Sequence, residues 1–502
     1  MRHVKIVCTI GPASDQEVTL KEMLQAGMDL ARLNFSHGTR AEHGARIATL
    51  RQVAEQVGQP LGILLDTQGP ELRVGQLPGG SIVLETGSRI TLGPEGTAGG
   101  PGPYLPINYP ALAGDVRPGD QILLDDGLIG LEVEEIRAGE GRITCRVQNN
   151  GLLTSRKGIN VPGREIGLPA LTEKDKEDIA FGLDRGIDFI AASFVRRAAD
   201  ITELKSFLAS RGAGVWVIAK IENRAAVENL EEILAVADGV MVARGDLGVE
   251  IPAEEVPLVQ KRIIRLANNL GKPVITATQM LESMIEHPRP TRAEASDVAN
   301  AVLDGTDAVM LSGETAAGKY PVEAVGTMVR IVVQAEAALP YRRLLARRSR
   351  TTAPTVPDAI SYASCTIAQA INAVAIITPT ASGSTPRMVA KYRPRQPIIA
   401  ATPDLSVQHR LTLIWGVIPR LVRPHSGTDA MIAEAMRASL ESGLVREGDV
   451  TVVTAGVPAG IPGSTNLLKV QVARLEVGGW SLGSPAGTGS RRFHNLRAGF
   501  QG

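Results

Sequence analysis

The chain has 502 residues, with Lys plus Arg and Asp plus Glu both at 53, so its formal net charge is zero. That length holds several domains, and the charge balance argues against an electrostatically driven nucleic-acid or membrane partner; at 3% aromatics there are few stacking platforms for single strands. Three widely spaced cysteines (Cys8, Cys145, Cys365) without CxxC spacing exclude a disulfide framework or zinc site and suit a reducing, cytoplasmic setting.

Val4–Ile10 is the first predicted strand, ended by Gly11-Pro12, and Asp15–Ala26 is a helix capped by Ser14 or Asp15. Leu30–Phe35 is the second strand and runs into ARLNFSHG, which places Arg32, Asn34, Ser36 and His37 at or just beyond its end. Thr39–Val57 is a helix, and Leu61–Thr67 is the third strand, leading into LLDTQGPELR. The N-terminus is too short and polar for a signal peptide, and no run of about 18 apolar residues follows anywhere.

From Gly69 to Ile166 the βα rhythm breaks into short alternating segments between Gly and Pro turns, as expected of a small all-β domain inserted after a strand. Gly69, Pro70, Gly163, Gly167 and Pro169 mark its two crossings, where hinge motion is expected. The rhythm resumes with a Thr172-capped helix to Arg185 and a fourth strand, Ile187–Ser193. VWVIAK is the fifth strand, Asn223–Ala237 a helix, and GVMVA the sixth strand. Glu254–Asn269 is helical, Pro273–Thr278 is the seventh strand, and helical turns run to Leu303. Ala308–Ser312 is the eighth strand, and Tyr320–Ala337 closes the repeat.

Eight such repeats predict a (β/α)8 TIM barrel over 1–68 and 167–337, with an all-β lid, expected as a small β-barrel, over 69–166. The strand ends Thr9, Asn34, Asp66, Ser193, Lys220, Arg244, Thr278 and Ser312 are all polar, which packing does not require and a ligand-binding C-terminal rim does. A basic linker, Leu339–Pro357, leads to a C-terminal open α/β sheet of about five strands within 338–472. The Gly/Ser-rich tail 473–502 is weakly patterned.

Four constellations carry chemistry. Lys220, Glu222, Arg244 and Asp246 lie at adjacent strand ends and should converge; two carboxylates with a lysine and an arginine suit a hard divalent cation and a phosphorylated ligand, with ordinary ion pairs as the competing reading. Asn34, Ser36, Asp66 and Thr67 offer one negative charge among neutral oxygens, which suits a monovalent cation or a network between neighbouring loops. Arg32, Arg73, Lys220 and Lys157 supply the positive charge that phosphoryl transfer needs, and the absence of GxxxxGK[ST] excludes a P-loop enzyme. TASGSTPR (Thr380–Arg387) opens a helix with hydroxyls and backbone N–H groups, an anion site outside the barrel and therefore regulatory.

KIVCTIGPAS, ARLNFSHG, LLDTQGPELR, IAKIEN, VARGDLGVE, TATQMLESM and MLSGETAAGKYP, in this order, resemble the pyruvate kinase family through residues 1–472. The resemblance implies phosphoryl transfer from phosphoenolpyruvate to ADP, giving ATP and pyruvate. It implies that Lys220 stabilises the phosphoryl group, with Arg32 in contact, and that Glu222 and Asp246 hold Mg²⁺ or Mn²⁺. Gly245, Asp246 and Thr278 would hold the substrate carboxylate, and Thr278 would belong to a protonation relay supported by Ser312 and Glu314. Asn34, Ser36, Asp66 and Thr67 would bind K⁺. Asn34, His37, Arg73 and Lys157 would face the nucleotide. Thr380, Ser382, Gly383, Ser384 and Thr385 would take a phosphorylated allosteric effector, and a homotetramer is implied. Arg244 is expected to be an orienting ion pair. Several positions depart from the family pattern: Ala225 and Ala226 after KIEN, Val74 near Glu71, and Pro386 and Arg387 in the effector loop. Glu71 resembles the K⁺-dependent branch. The competing function is a Mg²⁺-dependent enolate lyase or mutase on a related barrel.

Overall fold

The computed structural model describes residues 2–97, 101–164, 166–348, 355–424, 427–458 and 463–474. Eight parallel strands close into a barrel: Lys5–Thr9, Leu30–Asn34, Gly62–Asp66, Phe189–Ala192, Trp216–Ile221, Gly239–Ala243, Val274–Ala277 and Ala308–Leu311. Each is an apolar run buried on both sides, as a strand between an inner core and an outer helix layer must be. Alternation sorts the side chains. Ile6, Cys8, Ile63, Leu65, Val217 and Val240 face the helices. Val7, Leu30, Leu64, Phe189, Ile218, Met241, Ile275 and Met310 fill the interior. Continuing the inward set two residues at a time reaches Thr9, Arg32, Asp66, Ser193 and Lys220 at the C-terminal mouth. The period that builds the core therefore also delivers the polar groups to one place.

The helices end where their sequences say they should. Thr39 and Glu42 form a reciprocal capping box at the start of Arg40–Val57, and left-handed Gly58 stops it. Thr172 and Asp175 do the same for Glu173–Leu183. Three expectations need correction. The first helix begins at Glu17 with Gln16 as an N-cap whose side chain makes no capping bond; Ser14 Oγ instead accepts from Gly11 N–H at 3.2 Å. The helix expected over 223–237 is two, Arg224–Glu228 and Leu230–Val236. Their junction, Asn229, turns its amide to Arg196 O at 2.9 Å. A helix that the sequence pattern did not single out, Ala198–Ser210, fills the space after the fourth strand.

Between Asp66 and Glu173 the chain forms a six-stranded sheet and a two-stranded ribbon, and isolated bridges at Arg73–Gly158 and Val74–Ile107 link the segment at 73–74 to the two edges of the larger sheet. Its core of Ile90, Leu92, Leu105, Ile122, Leu131 and Val147 is separate from the barrel's. After the helix Tyr341–Arg348, a five-stranded sheet carries its last strand, Thr465–Val472, antiparallel on the edge. The tail from residue 475 and part of the basic linker lie outside the described residues.

This C-terminal unit seals the barrel floor. Its Leu411, Leu413 and Val417 merge with the barrel's inner core. A Cβ on Gly62 would stand 2.6 Å from Thr412 Oγ1 and 2.9 Å from Phe189 Cε2, so only glycine permits the approach. Polar contacts fix the seating: Arg393 makes a two-pronged contact with Asp307, 2.8 Å on each oxygen, and Lys5 Nζ donates to Val417 O at 2.7 Å. All three cysteines are free and buried. No helix among the described residues is long and apolar enough to cross a membrane.

Candidate active site

Asp66 is the hub of the barrel mouth. It is fully buried. Its Oδ2 accepts from Arg32 Nε at 2.7 Å, and its Oδ1 lies 3.2 Å from Lys220 Nζ. Arg32 also donates to Thr9 Oγ1 at 2.9 Å. Lys220 Nζ reaches Glu222 Oε1 at 2.6 Å and Ser193 Oγ at 2.8 Å. Burial works against the Lys220 ammonium, yet Asp66, Glu222 and Asp246 together hold its pKa well above the ordinary value. Burial works against Asp66 as well, but Lys220 and Arg32 keep its carboxyl below the usual range. The centre is thus two fixed cations sharing one fixed anion.

Glu222 and Asp246 are the other anions. Glu222 Oε2 accepts from Phe194 N–H at 2.7 Å. Desolvation and neighbouring carboxylates push both carboxyls upward. Glu222 is buried and Asp246 opens to the cleft; two carboxylates this close that share the single Lys220 ammonium are short of positive charge. Among the described residues no group of three or more His, Cys, Asp or Glu is disposed around a metal position. The protein therefore offers a two-carboxylate set, which fits Mg²⁺ or Mn²⁺ completing its shell with water and substrate oxygens.

Arg244 does not join them, contrary to the expected convergence. It sits at the start of a short helix, Arg244–Glu250, and turns aside to Asp297 at 2.7 Å. It also donates to Ala277 O at 3.2 Å and Thr278 O at 2.6 Å. Those bonds grip a strained turn, because Thr278 and Gln279 have φ of 66° and 54°. The turn breaks the strand's alternation and brings Thr278 Oγ1 to Gly245 N–H at 2.8 Å. Glu314, fully buried, accepts from Leu281 N–H at 2.9 Å and Ser312 N–H at 2.7 Å, tying the seventh and eighth strand loops together. Ser312 Oγ is buried without a hydrogen-bond partner among the described residues.

Asn34 and Asp66 are register partners at the ends of strands two and three. Asn34 Oδ1 accepts from Ser36 N–H at 3.1 Å. Thr67 accepts from Ser193 through both its oxygens. A cation among these groups would share oxygens already bonded to Arg32, Lys220 and Ser193. Phe194 is the functional residue that the motifs did not flag; Ser193, singled out as a polar strand end, follows the inward alternation of Phe189 and Ala191.

A cleft of about 530 Å³ opens between the inserted β unit and the barrel rim. Arg73, Lys157, Asp126, Phe194 and Asp246 line it, while His37 is exposed and outside it. Lys157 pairs with Asp125 at 2.8 Å and Arg73 with Glu71 at 2.5 Å. Asn160 Nδ2 donates across the cleft to Glu250 at 3.1 Å. In the C-terminal unit, Thr380 Oγ1 accepts from left-handed Gly383 at 2.9 Å. Ser382 and Ser384 flank that turn, but Thr385 faces inward to Thr465 Oγ1 at 2.9 Å. Arg387 leaves the loop altogether and lies over the barrel's Trp216, 4.7 Å from the ring centroid.

Residues 1–325 match the family described as "Pyruvate kinase, barrel domain", and residues 358–471 match "Pyruvate kinase, alpha/beta domain". The chain is 54% identical over 472 residues to the pyruvate kinase of Geobacillus stearothermophilus, covering 94% of this chain and 80% of that one. It is 52% identical over 473 residues to that of Bacillus licheniformis, with the same coverage. A crystal structure of a pyruvate kinase from Cryptosporidium parvum superposes with a TM-score of 0.89 at 39% identity, covering 94% of this chain and 96% of that one. These matches give no support to the lyase or mutase alternative. With its closed eight-stranded barrel, inserted β unit and C-terminal sheet, the chain belongs to the pyruvate kinase family, whose members transfer the phosphoryl group of phosphoenolpyruvate to ADP.

Proposed function

We propose that this chain performs its family's phosphoryl transfer through the cluster built on Asp66. The observation that carries the reading is the Lys220 ammonium, fixed at 2.6 Å from Glu222 and 2.8 Å from Ser193 at the barrel mouth. Phosphoryl transfer is mostly positioning and charge stabilisation, and a pre-placed cation acts without reorganising during the reaction. Lys220 neutralises the phosphoryl group in flight, and Arg32 holds its oxygens from the neighbouring strand. Glu222 and Asp246 would hold Mg²⁺ or Mn²⁺, which when bound would supply Lewis-acid charge to the substrate oxygens. Gly245, Asp246 and Thr278 receive the substrate carboxylate. Thr278, whose turn Arg244 braces, belongs to the relay that protonates the enolate carbon with a proton drawn from water, and Ser312 and Glu314 support that relay from the next strand.

Arg73 and Lys157 face the ADP phosphates from the cleft, with Asn34 and His37 at its approach. The inserted β unit excludes water that would otherwise take the phosphoryl group. Asn34, Ser36, Asp66 and Thr67 form the K⁺ site. Thr380, Ser382, Gly383, Ser384 and Thr385 take a phosphorylated effector, with the last contributing through its backbone. A cytoplasmic homotetramer is part of the same proposal. The test is a steady-state assay of ATP formed from phosphoenolpyruvate and ADP at fixed Mg²⁺ across a K⁺ series. Activity should rise strongly with K⁺, and full activity in rigorously K⁺-free buffer would sink the monovalent site.

A further inference from the structure

Phe194 carries two contacts that no other side of the site explains. Its φ is 56°, which a bulky side chain adopts only when its surroundings force it. On one side, its backbone N–H donates to Glu222 Oε2 at 2.7 Å. On the other, its ring lies against Gly69, three residues past the third strand's end at Asp66: a Cβ on Gly69 would stand 2.6 Å from Phe194 Cδ2 and 3.1 Å from Ser193 Cβ. Gly69 is itself left-handed, at φ 68°, and its N–H is held by Asp175 at 3.1 Å. The chain leaves the barrel for the inserted β unit at this point, and Phe194 also lines the cleft that the unit covers. The segment around Phe194 is fixed on both flanks. Ser193 is bonded to Thr67, and Val195 O accepts from Asn223 at 3.1 Å.

We infer that Phe194 is a positioning residue that couples the seating of the inserted β unit to the presentation of Glu222. Rotation of the chain at Gly69 displaces the ring, and with both flanks fixed the displacement is taken up at the one strained dihedral, which aims the amide at Glu222. The coupling runs both ways: a cation that fixes Glu222 fixes the amide, the ring and the hinge. The inference rests on the reading of Glu222 as a metal carboxylate.

The test uses the full-length protein and Mn²⁺ alone, without substrates. Mn²⁺ affinity is read by magnetic resonance of the free ion, and the hinge by hydrogen exchange of peptides covering residues 67–71. In the wild type, saturating Mn²⁺ slows exchange at the hinge. Phe194→Gly permits the same φ and keeps the amide but removes the ring. It should bind Mn²⁺ within about threefold of wild type and lose the slowing at its own saturating Mn²⁺. Phe194→Val disfavours the left-handed backbone and should weaken Mn²⁺ by about tenfold, the scale expected for groups that orient metal ligands. Gly69→Ala, which adds a methyl against the ring and touches neither Glu222 nor Asp246, should also weaken it. Hinge slowing that persists in Phe194→Gly, or is absent from the wild type, overturns the coupling. So does an unchanged Mn²⁺ affinity in Gly69→Ala. If Glu222→Gln binds Mn²⁺ as the wild type does, the metal reading itself falls, and the coupling with it.

Discussion

Replacing Asp66 by Asn keeps the shape of the hub and removes its charge. The carboxylate lies 2.7 Å from Arg32 and 3.2 Å from Lys220. At an effective dielectric of about 20 these separations correspond to about 6 and about 5 kcal/mol of attraction before desolvation is counted. Desolvation offsets much of that, but removing one partner of a buried pair leaves the others uncompensated, at about 3–5 kcal/mol. Both cations lose the anion that aims them, while the site gains net positive charge. The charge favours ground-state binding of an anionic substrate; the lost aim penalises the transition state. Asp66→Asn should therefore hold or lower KM for phosphoenolpyruvate while kcat falls at least about a hundredfold, the equivalent of roughly 3 kcal/mol. A coupled assay of pyruvate release, with active protein counted by its folded fraction, reads both constants. A kcat within threefold of wild type would refute the reasoning, because Arg32 and Lys220 would then not depend on Asp66 for their placement.

The remaining predictions concern bracing and seating. Glu314→Gln replaces a carboxylate that accepts two backbone N–H groups; the side-chain amide can satisfy only one through its oxygen, so kcat should fall with little change in Mn²⁺ affinity measured by titration. Arg393→Met leaves Asp307 buried and unpaired at the barrel floor, and a cost of about 3–5 kcal/mol should lower the calorimetric melting temperature by several degrees. Asp358 gives a pH signature. Burial works against its charge, but hydrogen bonds from Lys391, Thr355 and Tyr392 hold its carboxyl below the ordinary value. A carboxyl depressed in the folded state stabilises fully above the unfolded pKa of about 3.9 and loses that stabilisation as pH falls through the lower folded value. The urea midpoints of wild type and Asp358→Asn should therefore converge as pH drops below about 4; a gap that stays constant with pH would contradict this.

Much of the site was legible because one rule serves two purposes. Alternation that buries Leu30, Leu64 and Ile218 also carries Arg32, Asp66 and Lys220 to the barrel mouth, so polar strand ends were a sound signal. The same rule brought out Ser193 and Thr9 as strand ends, though not the contact of Thr9 with Arg32. What it could not find depends on broken regularity. Thr278 reaches Gly245 only through a left-handed turn, and Arg244 leaves the carboxylates to grip that turn. The role of Phe194 lies in its backbone amide, which no residue type announces. Thr385 and Arg387 sit in a loop whose composition suits an anion, but their burial is set by Thr465 and Trp216, distant in sequence. The split at Asn229 has the same origin, since its amide answers to Arg196 in the preceding segment.

The account stands most directly on Lys220. In Lys220→Met the side-chain length is kept and the charge is lost, while Glu222 and Asp246 remain to bind metal. Mn²⁺ titration and ATP formation from phosphoenolpyruvate and ADP should be measured on the same preparation. The account predicts ATP formation at background with Mn²⁺ binding still measurable. Turnover near that of the wild type, with metal bound, would contradict it.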